Sequence, residues 1–353
     1  MEVSPQGCQC DMLFSFVHNV ARTFELIING GRLLQTGEPA IDHAKTLADY
    51  DSFEELYTDF EKEPFRQLSL RMRRIDIYLD CYAELRPSFL LSSMIHDCLE
   101  RGRSMNAGGA RYRDYGGSGV GIPNVGDSLF ALKRLIFDEQ RYAGDEILNA
   151  LRADFVGYEK MQNQMLRAPK YGWDEPEVDA MTDRVLLSFI APLNAHRNRY
   201  GGHAKPVILG FTRVVGTGLE TGATPDGRKS EQPLAHGLSP QRGATSKGTL
   251  SAINSATRLS LRKVGGGAGM MWDFDTELAR PDVMKPVLQT FVDKGGHIFQ
   301  GNTVSVSTLL TAQKNPEQFT HLMVREVRDA LSGNTTRDYR KEPLWQLTPS
   351  ISG

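Results

Sequence analysis

Apolar residues recur at helical spacing through most of positions 1–198, and beyond Arg199–Gly202 the text turns rich in glycine, with short strand signals set among helical stretches. The order helix, strand, helix is that of a parallel α/β architecture, where each crossover helix returns the next strand in the same direction. The change of texture at Arg199–Gly202 reads as a joint between subdomains rather than a linker.

Local signals place the elements. Val20, Phe24, Ile27 and Ile28 share one helical face, which Gly30 and Gly31 should end by taking left-handed backbone. Ser52 and Glu55 form a capping-box pattern that predicts a helix running to about Leu85, kinked or split at Pro64. Further helices are predicted over 88–101, with Phe89, Leu90, Met94, Ile95 and Leu99 buried, from a cap at Asp127 to Phe137, from Asp145 to Met165, and over 174–194. Strands are predicted over 207–211 and 298–306, with helices over 281–294 and 315–328.

Forty-one basic and 43 acidic side chains leave a net charge of −2, without the basic excess that nucleic-acid binding draws on. Apolar runs such as 185–193 fall far short of the ~20 residues of a membrane span. Met1 is followed by Glu2 and Ser4, which is not a secretory signal pattern. A cytoplasmic protein with neither nucleic acid nor membrane as partner is expected. Cys8, Cys10, Cys81 and Cys98 are too few and scattered for a disulfide framework, and no second ligand pair completes a zinc set, so reduced thiols and no metal are expected. Cys81 and Cys98 fall in helical patterns and read as packed thiols. The eight histidines, His18 among them, have no repeated acidic or cysteine neighbour and read as structural or exposed.

Two glycine clusters, 117–121 and 265–269, invite a phosphate-loop reading, yet neither leads into Lys-Ser/Thr; both are expected to be tight loops between packed elements. Gly216, Gly218 and Gly222 loosely imitate a dinucleotide fingerprint, but Pro225-Asp226-Gly227 reads as a turn where that fingerprint needs a helix. No nucleotide cofactor is expected.

Several strings occur together in a telling order: Asn106 to Tyr112, Gly121 to Leu129, Arg199 to Gly202, Thr221-Gly-Ala-Thr-Pro-Asp-Gly-Arg-Lys229 with Pro233 to Pro240, Gly296 to Thr303, and Ala312 to Arg325. In this set the chain resembles the C-terminal half of glycyl radical enzymes of the pyruvate formate-lyase family, in the dehydratase- and lyase-like branch. The resemblance implies the C-terminal half of a ten-stranded α/β barrel, helix-rich, with residues 1–325 as a partial barrel domain. That domain is helix-rich over 1–198 and loop- and strand-rich over 199–325; residues 326–353 form a divergent tail in place of the glycyl radical loop.

The family's chemistry needs a glycine made into a radical by an iron–sulfur, S-adenosylmethionine-dependent activating enzyme, and a cysteine that relays the radical to substrate. Met1 to Gly7 resembles the string just after that cysteine, which puts Glu2 at the position of the family's glutamate, a base toward a substrate hydroxyl. Asp11 is similar in place to a further acidic site residue, and equally fits a cap for a helix from Met12 to Val20. Cys8 and Cys10 lie downstream of Glu2 and do not match the relay position, where a displacement of even ~1 Å can cost about a hundredfold in rate. Arg328 stands where the radical glycine is expected, and Gly333 lacks its flanking pattern. A frame-shifted or diverged tail would read this way.

The expectation is a truncated member of the family, related to radical lyases or dehydratases of small polar substrates and inactive alone. Its partners would be a missing N-terminal half or a second copy and, for a full-length relative, the activating enzyme. The alternatives are a half-barrel subunit of a split radical enzyme and a non-catalytic binding protein on the same scaffold.

Overall fold

Asn19 closes a strand and opens a helix in one residue. Its side-chain oxygen accepts the Arg22 amide at 3.0 Å, satisfying one of the free donors of a helix start. In the computed structural model, which describes residues 15–210, 213–241, 244–315 and 318, β1 (Phe16–Asn19) therefore runs directly into α1 (Val20–Ile28). Over 16–19 this strand takes the place of the helix expected over 12–20, whose first residues lie outside the described ones. Residues 16–19 pair in parallel with 117–120, and the ladder bonds, not a helix, take up the backbone there. Gly30 and Gly31 end α1 at φ 63° and 73°, as predicted.

Ser52 accepts the Glu55 amide at 3.2 Å and starts α2 (Phe53–Leu85), one continuous helix of 33 residues. Pro64 removes a backbone bond inside it, at a cost of ~3 kcal/mol. The buried Leu56, Phe60, Leu68 and Met72 carry the helix through, each fully buried apolar side chain contributing about 1.5–3 kcal/mol.

The single buried helix expected over 88–101 does not form. Two one-turn helices, α3 (Phe89–Ser92) and α4 (Cys98–Arg101), are separated at Asp97, which takes left-handed φ of 73°. The Asp97 carboxylate holds Arg101 and Arg111 at 2.8 and 2.7 Å and so fixes that break. Of the five apolar residues assigned to a buried face, only Ile95 is buried.

The cluster 117–121 is not a loop. It falls mostly within β2 (Tyr115–Val120), buried throughout. A Cβ on Gly117 would stand 2.3 Å from Cζ of Phe16, and one on Gly119 2.9 Å from Cε1 of Phe189. The glycines are there because aromatic rings from both sides close onto the strand. α5 (Ile122–Leu132) starts from Gly121 at φ 86° and continues as a π turn over Lys133–Asp138. Asp127 is therefore no cap; it lies mid-helix and fully buried. The helix expected from Asp145 to Met165 divides into α6 (Gly144–Arg152) and α7 (Glu159–Arg167), because Asp154, Phe155 and Gly157 take φ of 49°, 61° and 81°. α8 (Pro176–Ala195) follows as predicted.

β3 (Ala204–Val207) is earlier than the predicted 207–211. The glycine-rich half then gives α9 (Arg213–Leu219), α10 (Thr249–Arg258), β4 (Gly269–Phe274), α11 (Pro281–Asp293), β5 (Ile298–Thr303) and α12 (Val306–Lys314). β4 was not foreseen, since its start coincides with the second glycine cluster. Of the helix expected over 315–328, nearly all lies outside the described residues.

All strand pairs are parallel, in the orders β1-β2-β3 and β4-β5. Just past β3, Ile208 bridges Ala268 in parallel, donating to Gly267 O and accepting from Gly269 N at 2.9 Å each. Among the described residues five parallel strands thus stand side by side in chain order, with α5 and α8 packed on each other and α2 packed on α8. One hydrophobic core takes residues from Phe16 to Phe291, so Arg199–Gly202 is not a joint between subdomains. It is a turn within the sheet: Gly201 donates to Asn198 O at 2.9 Å and Arg113 donates to Tyr200 O at 2.7 Å. The described residues up to 198 are mostly helical, with only the short β1 and β2 among them, and β3, β4 and β5 follow.

Candidate functional site

The carboxyl ends of parallel strands are where open α/β sheets hold ligands, and a cavity of about 490 Å³ lies at that end of β1. Four elements wall it, together with Ala40 and Ile41. β1 and the first turns of α1 bring Val17, His18, Asn19, Arg22 and Thr23; α2 brings Arg66, Gln67 and Arg71; α9 brings Arg213 and Thr217, with Glu220 directly after it. Asn19 ties two of the walls together, its amide donating to Thr217 O at 3.0 Å and to Thr221 Oγ1 at 2.9 Å.

His18 is buried, and burial first, with the Arg71 charge second, lowers its pKa to about 3. The ring is neutral across the physiological range. Its Nε2 lies 3.2 Å from Thr23 Oγ1, and the ring stacks on Phe189 at 6.0 Å between centroids. Arg71 donates to Val17 O at 2.6 Å, capping a carbonyl of β1, and lies 5.7 Å from the Phe16 ring centre. Burial lowers its pKa, and nearby Arg74 adds to the effect. Glu63 backs the α2 wall, accepting from Arg66 Nε at 2.9 Å and Gln67 at 2.8 Å.

Beside this cavity the string Thr221 to Pro240 forms a buried, bonded loop. Asp226 accepts Asn124 Nδ2 at 2.8 Å, Thr224 Oγ1 at 2.5 Å and the Arg228 amide at 3.1 Å. The Arg228 guanidinium donates to four carbonyls, those of Lys229 and Gln232 at 2.7 Å, Thr221 at 3.2 Å and Gly222 at 2.5 Å. Glu25 of α1 accepts the amides of Leu34 at 2.7 Å and Gly222 at 2.8 Å, and burial raises its pKa against those two bonds. Gly227, at φ 96°, donates to Thr224 O at 2.9 Å, so the predicted turn is present.

Glu2, Asp11, Cys8, Cys10, Arg328 and Gly333 lie outside the described residues. Cys98 is buried and Cys81 exposed, so the packed-thiol expectation holds for Cys98 alone. Among the described residues no group of three or more His, Cys, Asp or Glu could hold a metal, and no helix is long and apolar enough to cross a membrane. Sequence reasoning did not single out Arg71 or Arg213. The only trace of Arg71 is its place on α2 one residue before the buried Met72.

A profile of pyruvate formate lyase-like proteins matches residues 1–218, and one of the glycine radical domain matches 234–326. The chain is 29% identical over 320 residues to trans-4-hydroxy-L-proline dehydratase of Clostridioides difficile, an alignment covering 87% of this chain and 39% of that protein. It is 32% identical over 337 residues to the probable dehydratase YbiW of Escherichia coli K12, covering 90% and 41%. Its structure superposes on the glycerol-bound B12-independent glycerol dehydratase of Clostridium butyricum with a TM-score of 0.82 at 32% identity, over 88% of this chain and 40% of that one. The chain spans about two fifths of the length of these proteins.

Proposed function

The chain belongs to the pyruvate formate lyase-like glycyl radical enzymes, and from that membership we propose that it is part of a radical dehydratase or lyase acting on a small polar substrate. The observation that carries this reading is the superposition on a dehydratase over nearly the whole described chain, with both family profiles in consecutive order. In this reading the five parallel strands are half of a ten-stranded barrel, residues 1–325 form that partial barrel, and 326–353 replace the radical loop. Glu2 serves as base toward a substrate hydroxyl, and Asp11 is a second acidic group of the same site. A glycyl radical, installed in the family by an activating enzyme, supplies hydrogen abstraction; Arg328 carries no such function.

These 353 residues do not turn over substrate by themselves. Among the described residues the outer edges of β1 and β5 have no strand partner, and β5 is largely exposed. An unpaired edge invites another chain, so the working unit includes a further polypeptide segment. The test is anaerobic incubation with a radical-generating activating enzyme, with and without a chain carrying the complementary part of a glycyl radical dehydratase. The lone chain should show no organic radical by electron paramagnetic resonance and no dehydration of glycerol or 1,2-propanediol. A radical signal on the lone chain refutes its insufficiency; failure of the two chains to form a complex refutes the half-barrel.

A further inference from the structure

We propose that the cavity between α1, α2 and α9 binds a small organic oxyanion, held by Arg71 and Arg213. Among the described residues four guanidiniums line it, those of Arg22, Arg66, Arg71 and Arg213, against the single carboxylate of Glu220. Two of the four are matched: Arg22 approaches Glu220 at 3.5 Å, and Arg66 is held by Glu63 behind the wall. Arg71 and Arg213 have no carboxylate partner among the described residues. One nitrogen of Arg71 is taken by Val17 O, which leaves the rest of a partly buried guanidinium without an anion, and a cation drawn out of water unmatched is unfavourable.

The neighbours define the ligand further. Neutral His18 adds no charge. Val17, Leu26, Ala40 and Ile41 give the cavity an apolar part, so its best occupant has a carboxylate, phosphate or sulfonate head on a short apolar body. Guanidinium groups suit such heads because their paired donors match two oxygens at once. This site needs no radical chemistry, so its test stands apart from that of the family reading.

The experiment is isothermal titration calorimetry of the folded chain with inorganic phosphate, butyrate and butanesulfonate, at ionic strength held constant with chloride. At least one should bind saturably; preference for butyrate or butanesulfonate over phosphate identifies a site for an organic acid, and the reverse a phosphate site. Arg213→Gln should weaken binding about tenfold or more, as loss of one charge-assisted contact does, without lowering the melting temperature, since that side chain makes no bond to described residues. Arg71→Lys, which keeps the charge and a donor to Val17 O, should weaken binding less than Arg71→Met. Absence of saturable binding by a wild-type chain that melts cooperatively, or wild-type affinity in Arg213→Gln, overturns the proposal.

Discussion

Replacing Asp127 by Asn should become steadily more favourable to stability, relative to wild type, as pH rises from 5 to 8. Asp127 sits in the middle of α5 with one oxygen accepting the Tyr171 amide at 2.7 Å and the other, Oδ2, without a partner among the described residues. Burial, helped by Asp226 and Asp179, raises its pKa from 3.8 to about 7 against the opposing pull of Lys170 and the Tyr171 amide. A carboxyl whose folded pKa is raised gives its full contribution below the unfolded value near 3.8 and loses it as pH climbs to about 7. At 1.36 kcal/mol per unit the loss approaches ~4 kcal/mol. The amide keeps the acceptor for Tyr171 but places an unmatched donor at Oδ2, costing about 1–3 kcal/mol at every pH. Urea unfolding should therefore find Asp127→Asn gaining on wild type by roughly 2–3 kcal/mol between pH 5 and pH 8, and more stable than wild type at pH 8. A stability difference that stays constant between those pH values refutes the buried, protonated carboxyl.

Gly117→Ala should destabilise by about 2–4 kcal/mol, because the new methyl would stand 2.3 Å from the Phe16 ring and neither strand can retreat without breaking the ladder; a urea midpoint within experimental error of wild type would contradict the strand assignment. The His18 ring should show no titration between pH 5 and 8 by nuclear magnetic resonance, its pKa lying at about 3; a midpoint near 6.5 would place it in water. Arg228→Lys keeps the charge but cannot reach four carbonyls from one planar group. It should cost about 2–3 kcal/mol and open the loop 221–240 to limited proteolysis, and an unchanged digestion pattern would show that the loop is held by other means.

Helices with a sustained apolar face or a capping pattern were legible from sequence: α1 with its end at Gly30, α2 with Ser52 and Glu55, α8 and α11. The misreadings share a cause. At 88–101 and 145–165 the apolar spacing runs on, but Asp97, Asp154 and Phe155 take left-handed backbone, a choice made by tertiary bonds such as those of Asp97 to Arg111. β2 was unreadable because its glycines answer to Phe16 and Phe189, far away in the chain. Asp127 looked like a cap because capping and buried carboxyls use the same residue. The family strings stood out in the sequence, yet the structure gives the longest of them, 221–240, a bonding role that no local pattern announces.

Burial is uneven across the five strands, and the unevenness has a physical reading. β2 and β4 are buried along their whole lengths, whereas β5 is mostly exposed and α11 buries only Phe291. On the α2 to α4 side, Leu85 and Leu90 are each 81% exposed and Phe89 71%. Such exposed apolar side chains, where they join into one patch, mark an interface or a liability. At the β1 edge the position of Arg71 is different: its guanidinium covers the Val17 carbonyl and so blunts an edge that would otherwise recruit a strand. The two ends of the sheet are thus unlike, β5 open to pairing and β1 guarded at the mouth of an arginine-lined cavity.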